Sequence, residues 1–145
     1  MDVVKNAVKS GVSLFLVLVM IVSFASCGNK ADKTGLWKNA EYLSDKEFGK
    51  GGTTVRVEVK AEEQSVTFTL NTDKSTLGDA LLEYSLIAGD ESEYGLYVKT
   101  VNGITADYDT DKSYWAFYKN GEYMQTGVDS TEISDGEHYK LVYTK

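Results

Sequence analysis

The chain has 145 residues, with 15 Lys and Arg against 22 Asp and Glu, for a formal net charge of −7. That is one domain's worth of chain. Its 42% hydrophobic content is too high for a disordered protein, and its acidic balance argues against a nucleic-acid-binding surface. A single cysteine rules out an internal disulfide framework or multi-cysteine zinc cage, and a single histidine rules out multi-histidine metal sites.

Residues 1–26 read as an export leader. Lys5 and Lys9 give a mildly basic start, and the apolar run Val12 to Phe24 is shorter than the roughly 20 residues that span a bilayer. The end of the run, Phe24-Ala25-Ser26-Cys27, resembles the lipobox of bacterial lipoproteins, with Phe24 where leucine is usual. That resemblance implies cleavage before Cys27 and acylation of its thiol, a lipid anchor that places the protein on the bacterial cell surface. A plain signal peptide with an incidental cysteine is the alternative. Residues 27–52 then form the lipidated cysteine, a polar tether and an N-terminal arm. The aromatics of that arm, Trp37, Tyr42 and Phe48, either dock on the domain or serve a ligand.

Residues 53–145 carry the regular pattern. Val55, Val57 and Val59 alternate with polar residues, as do Val66, Phe68 and Leu70, and the short link between them predicts a β-hairpin. Thr76-Leu77-Gly78-Asp79 fits a helix N-terminus. Leu77, Ala80, Leu81, Tyr84 and Ala88 recur at helical spacing, predicting about three turns that stop at Gly89. Strands follow at Tyr94 to Val101 and at Tyr114 to Lys119. The latter turns through Asn120-Gly121 into Glu122 to Gln125, and a last strand runs from His138 to Thr144. This order predicts an α+β fold, a β-grasp-like mixed sheet with one amphipathic helix packed across it.

No constellation for catalysis emerges. The lone imidazole, His138, falls on a strand between Glu137 and Tyr139, and no nucleophile elbow, phosphate loop or metalloprotease helix is present. Asp107, Asp109 and Asp111 alternate like the opening of a calcium loop, but Lys112 replaces the required glycine and Tyr118 the closing glutamate. A solvated turn and a weak cation site are the two readings. No catalytic residue, metal ligand or required cofactor is therefore assigned. The informative feature is the ten tyrosines. Along β-strand Tyr114 to Lys119, Trp115 and Phe117 share one face, expected to fill the core, while Tyr114 and Tyr118 share the other and would form an open aromatic surface.

The segment Tyr114 to Tyr143, with its Tyr-Trp start, Gly-Val-Asp stretch (Gly127 to Asp129) and Asp-Gly-Glu turn (Asp135 to Glu137), resembles the C-terminal domain of the cobalamin carriers transcobalamin, intrinsic factor and haptocorrin. Tyr97 to Gly103 and the helix start at Thr76 fit the same domain. The chain also resembles bacterial lipoproteins bearing such a domain. In the carriers this β domain closes over one face of a corrinoid and a separate helical barrel covers the rest. The resemblance implies a ligand-binding set of Tyr114, Tyr118, Tyr123, Met124, Gln125 and Thr126. The carriers' loop proline and their barrel have no counterpart here, so stand-alone affinity is expected to be micromolar or weaker. The expected function is a non-enzymatic surface lipoprotein that captures a corrinoid or another large flat-faced ligand, for a membrane transporter or a surface protein partner. A protein-interaction or adhesion module built on the tyrosine-rich face is the alternative.

Overall fold

The computed structural model describes residues 30–145. The leader and Cys27 lie outside the described residues. Chain order begins with a 3-10 turn at Gly35–Asn39 and a short strand β1 (Lys46–Phe48), then the hairpin β2 (Thr53–Ala61) and β3 (Gln64–Thr72). The hairpin is longer than the valine alternation alone requires, because pairing continues to Ala61↔Gln64 and the turn closes on Glu62 at φ 55°. Val55, Val57, Val59, Val66, Phe68 and Leu70 are all buried while the residues between them face outward.

Helix α1 (Leu77–Glu83) starts where the sequence places it, with Thr76 Oγ1 accepting from Asp79 N at 3.2 Å. It does not run on to Ala88. Ser85 adopts φ 55°, and Ile87–Ser92 becomes strand β4, paired antiparallel with β5 (Gly95–Val101). The expected helix stop, Gly89, sits in that ladder, where a Cβ would lie 1.9 Å from the Tyr97 carbonyl oxygen. Helical spacing past Tyr84 was coincidental. The buried pair Leu86 and Ile87 and the partner strand β5 decide the conformation, as tertiary pairing commonly overrides local propensity.

The remaining elements are β6 (Ile104–Thr105), a single-turn helix α2 (Tyr108–Asp111), β7 (Tyr114–Lys119), β8 (Glu122–Tyr123), a 3-10 turn at Val128–Ser130 and β9 (His138–Thr144). One six-stranded sheet has the order β1-β3-β2-β9-β7-β8, with β1/β3 and β2/β9 parallel and the other pairs antiparallel. The α+β class and the mixed sheet hold, but most of the ordered structure is β. The strands also divide, since β4-β5-β6 form a second, antiparallel sheet that the sequence did not separate from the first.

The core lies on the inner face of the large sheet. Leu77, Ala80 and Leu81 of α1 join it, as do Trp115 and Phe117 of β7 and Leu141 of β9. Trp37 of the arm is wholly enclosed, and Tyr42 and Phe48 meet Phe68 edge to face. The arm's aromatics are therefore docked.

Gly78 in α1 supports a test with an inverted sign. Glycine to alanine inside a helix ordinarily gains about 1 kcal/mol. Here the new Cβ would fall 2.7 Å from Asp129 Cα and 2.9 Å from its nitrogen, backbone atoms that cannot swing aside. Gly78→Ala is expected to lose about 1–3 kcal/mol, as overpacking does. A urea midpoint equal to or above that of the parent chain would refute this.

Candidate ligand-binding cleft

Strand β7 turns into β8 through Asn120 at φ 49° and Gly121 at φ 85°, the left-handed pair that a tight hairpin needs. Pairing was expected to reach Gln125, but β8 ends at Tyr123. Met124 N still donates to Phe117 O at 2.9 Å, and then the chain leaves the sheet. The following segment is tied down at its far end. Thr131 Oγ1 donates to Gly127 O at 2.9 Å, Val128 is buried, and Asp129 Oδ2 accepts from Leu96 N of β5 at 2.8 Å. Gly95 and Gly127 permit this closeness, since a Cβ on Gly95 would sit 2.2 Å from Asp129 Oδ2.

Residues 124–128 are thereby propped over β5 and the inner side of β7, and a cleft of about 350 Å³ remains between them. Five residues of the set implied by resemblance line it together: Tyr114, Tyr123, Met124, Gln125 and Thr126. Tyr118 does not join them. It faces the outer side of the sheet and touches the cleft only through Tyr123, their rings edge to face at 5.6 Å. The sequence reading missed the opposite wall, Leu96, Tyr97 and Val98 of β5, and the floor formed by Trp115, Phe117 and Leu141. The available signal was Tyr97, an exposed aromatic beside alternating Leu96 and Val98, but its proximity to Met124 depends on the β5–Asp129 bond.

The floor is rigid. Trp115 Nε1 donates to Lys99 O at 3.1 Å and its ring meets Tyr143 edge to face, while Phe117 stacks on Tyr139 at 5.9 Å. Chemically, the cleft is uncharged: no Asp, Glu, Lys, Arg or His lines it, although the chain carries −7. Its polar groups are phenols, the Gln125 amide and the Thr126 hydroxyl. Nothing in it resembles a nucleophile with a base to activate it.

The perturbed ionisable groups belong elsewhere. Glu137 accepts from the Tyr139 hydroxyl, from Ser134 N at 3.0 Å and from Lys119 Nζ at 3.1 Å. Burial pushes its carboxyl up, but these donors outweigh burial and hold it below its ordinary value near 4.5. Burial, and then the Glu137 carboxylate, push the Tyr139 phenol well above its ordinary value. A depressed carboxyl stabilises the fold above its unfolded value and loses that contribution as pH falls through the folded one. The melting temperature is therefore expected to fall below about pH 4.5. Glu137→Gln should lower the plateau and flatten this acid limb, and an unchanged limb would refute the assignment. Asp107 and Asp111 add to the same limb. Hydrogen bonds from Thr110 and Ser113, respectively, are the leading causes of their lowered values.

Those two aspartates also answer the calcium-loop question. Asp107 caps α2, accepting from Asp109 N at 3.1 Å and Thr110 N at 3.4 Å, and Asp111 accepts from Ser113 N at 3.1 Å and from the Ser113 hydroxyl. They serve as turn and helix caps. Among the described residues no group of three or more His, Cys, Asp or Glu is placed to hold a metal ion. His138 is exposed on the outer face of β9.

Residues 74–145 match the model of a domain of unknown function, DUF4430. A candidate metal binding protein from Ruminococcus gnavus, known from a crystal structure, is 34% identical with a TM-score of 0.61; the match covers 65% of this chain and 98% of that one. Haptocorrin in complex with Cbi is 19% identical with a TM-score of 0.56. That match covers 68% of this chain and 26% of haptocorrin, and it is a likeness of fold. No curated protein matches the chain.

Proposed function

We infer, for a chain that belongs to the family of the R. gnavus protein and carries a DUF4430 domain, a non-enzymatic binding function centred on the cleft between β5 and residues 124–128. The observation that carries this reading is the cleft's chemistry: aromatic, thioether and amide groups with no charge and no acid–base pair. Such a surface favours a ligand with a broad apolar face and neutral hydrogen-bonding edges. A volume of about 350 Å³ is too small to enclose a large ligand. The cleft would instead seat one face or edge of it, as a lid does. A corrinoid is the leading candidate, supported by the fold shared with haptocorrin and by the position of Met124 and Gln125. Metal binding, suggested by the R. gnavus relative, draws no support from the donor groups of the described residues.

On this reading Cys27 carries a lipid anchor, and the domain displays its cleft on the bacterial surface for a transporter or partner protein. Isothermal titration with cobinamide and cobalamin tests the ligand. One-to-one heat with a Kd on the order of micromolar or weaker is expected, since a single open face buries little surface. Absence of saturable heat at millimolar ligand would end the corrinoid reading and leave protein recognition as the use of the cleft.

A further inference from the structure

The two walls of the cleft are tied together by one side chain. The turn that carries Asp129 is fixed to α1, where Leu77 N donates to Thr131 O at 2.9 Å. From there the Asp129 carboxylate reaches across to Leu96 N. Among the described residues this is the one hydrogen bond that joins residues 94–98 of the β4–β5 hairpin to residues 124–131. Three elements leave room for it. A Cβ on Gly78 of α1 would meet the Asp129 backbone, one on Gly95 of β5 would overlap its carboxylate, and one on Gly127 would lie 3.0 Å from Oδ1. Yet only half of the carboxylate is used. Oδ2 accepts from Leu96 N, while Oδ1 is buried with no hydrogen-bond donor among the described residues. A buried acceptor in that state offsets much of what the Leu96 bond gains, so the contact holds the hairpin without locking it.

The rest of the hairpin is built to pivot. Lys99 O, farther along β5, accepts from Ala106 N at 2.8 Å and from Trp115 Nε1 at 3.1 Å, which fixes that point to the body of the domain. Opposite it the β4–β5 register shifts between Ala88 and Gly89, an irregularity at which a ladder bends. Leu96, Tyr97 and Val98, which form the second wall of the cleft, lie between this fixed point and the hairpin tip, where Tyr94 is 86% exposed. The wall is therefore anchored at Lys99 and latched at Leu96.

We propose that Asp129 is the positioning residue of the cleft: its bond to Leu96 holds the β4–β5 hairpin as a hinged wall, which swings from Lys99 when that bond breaks. The wall's service to a ligand rests on the binding function proposed above, whereas the latch itself does not. Acrylamide quenching of tryptophan fluorescence in the full-length protein tests the latch without a ligand. Trp115 floors the cleft at 8% exposure and Trp37 is enclosed at 0%, so added quenching of the folded protein reports Trp115. Asp129→Ala is expected to raise the quenching well below the unfolding temperature. Asp129→Asn, which keeps an acceptor for Leu96 N, should restore the parent value. Destabilisation without movement of the wall would leave the quenching of the folded protein unchanged. Cobinamide affinity should fall about tenfold in Asp129→Ala and stay near the parent value in Asp129→Asn, as for one hydrogen bond to a charged group. If Asp129→Ala does not fold, Asp129→Glu carries the test: one methylene too long for the space the glycines leave, it should push the wall outward and raise the quenching as well. Unchanged quenching in the alanine or glutamate variant, or quenching in Asp129→Asn as high as in either, would overturn the proposal. A parent chain that gives no heat with cobinamide would count against the corrinoid reading alone, because quenching decides the latch.

Discussion

Trp37→Ala is expected to destabilise the protein by about 3–5 kcal/mol, the range for deleting a large aromatic from a core that cannot collapse around the gap. Trp37 is 0% exposed and its Nε1 donates to Ala61 O, the last residue of β2, at 2.9 Å. The substitution removes both the packing and the donor, leaving a carbonyl at the hairpin end without that partner. Trp37→Phe separates the two effects, since it restores most of the ring and forfeits only the hydrogen bond, at about 1–3 kcal/mol. Urea unfolding of both variants checks this. The arm has further anchors nearby, including Leu36 N to Glu62 Oε2 at 3.1 Å and the reciprocal bonds between Asn102 and Tyr42 at 2.8 and 2.9 Å. If Trp37→Ala lost less than 1 kcal/mol on this scale, the arm would be a detachable appendage. Loss in the expected range makes it part of the domain's core.

Met124→Asp is the corresponding test of the cleft. The Met124 side chain is partly buried against the core, and its backbone is fixed by the bond to Phe117 O. A carboxylate placed there would lie among Tyr97, Trp115 and Val128 with no cation lining the cleft to pair with it. A bound ligand would strip away its remaining water, at a cost of several kcal/mol. Binding of cobinamide, or of any ligand that uses this face, is expected to fall by about 100-fold or more, equivalent to about 3 kcal/mol. Met124→Leu, close in volume and equally apolar, should retain most of the affinity. Titration of both variants gives the answer: equal loss in both would mean that the thioether sulfur itself is recognised, and no loss in either would place the ligand elsewhere.

Local pattern made much of this architecture legible. The β2–β3 hairpin follows from period-two alternation, the start of α1 from the Thr76 cap, the β7–β8 turn from Asn120-Gly121, and β9 from its flanking turn. Each is set by interactions within a few residues, so the letters suffice. Where α1 ends was not legible, because Leu86 to Gly89 can satisfy either a helical stripe or a strand and the choice falls to β5. The cleft divides in the same way. Tyr123 to Thr126 was accessible through family resemblance, and those residues are contiguous in the chain. The opposing wall at Leu96 to Val98 depends on Asp129 reaching back 33 residues to Leu96 N. The sequence by itself determined the class of fold and the strand faces. The tertiary structure alone decided that Tyr118 parts from the other five site residues: alternation puts it on the same strand face as Tyr114, and only the placement of residues 124–128 brings one of the two to the cleft and not the other.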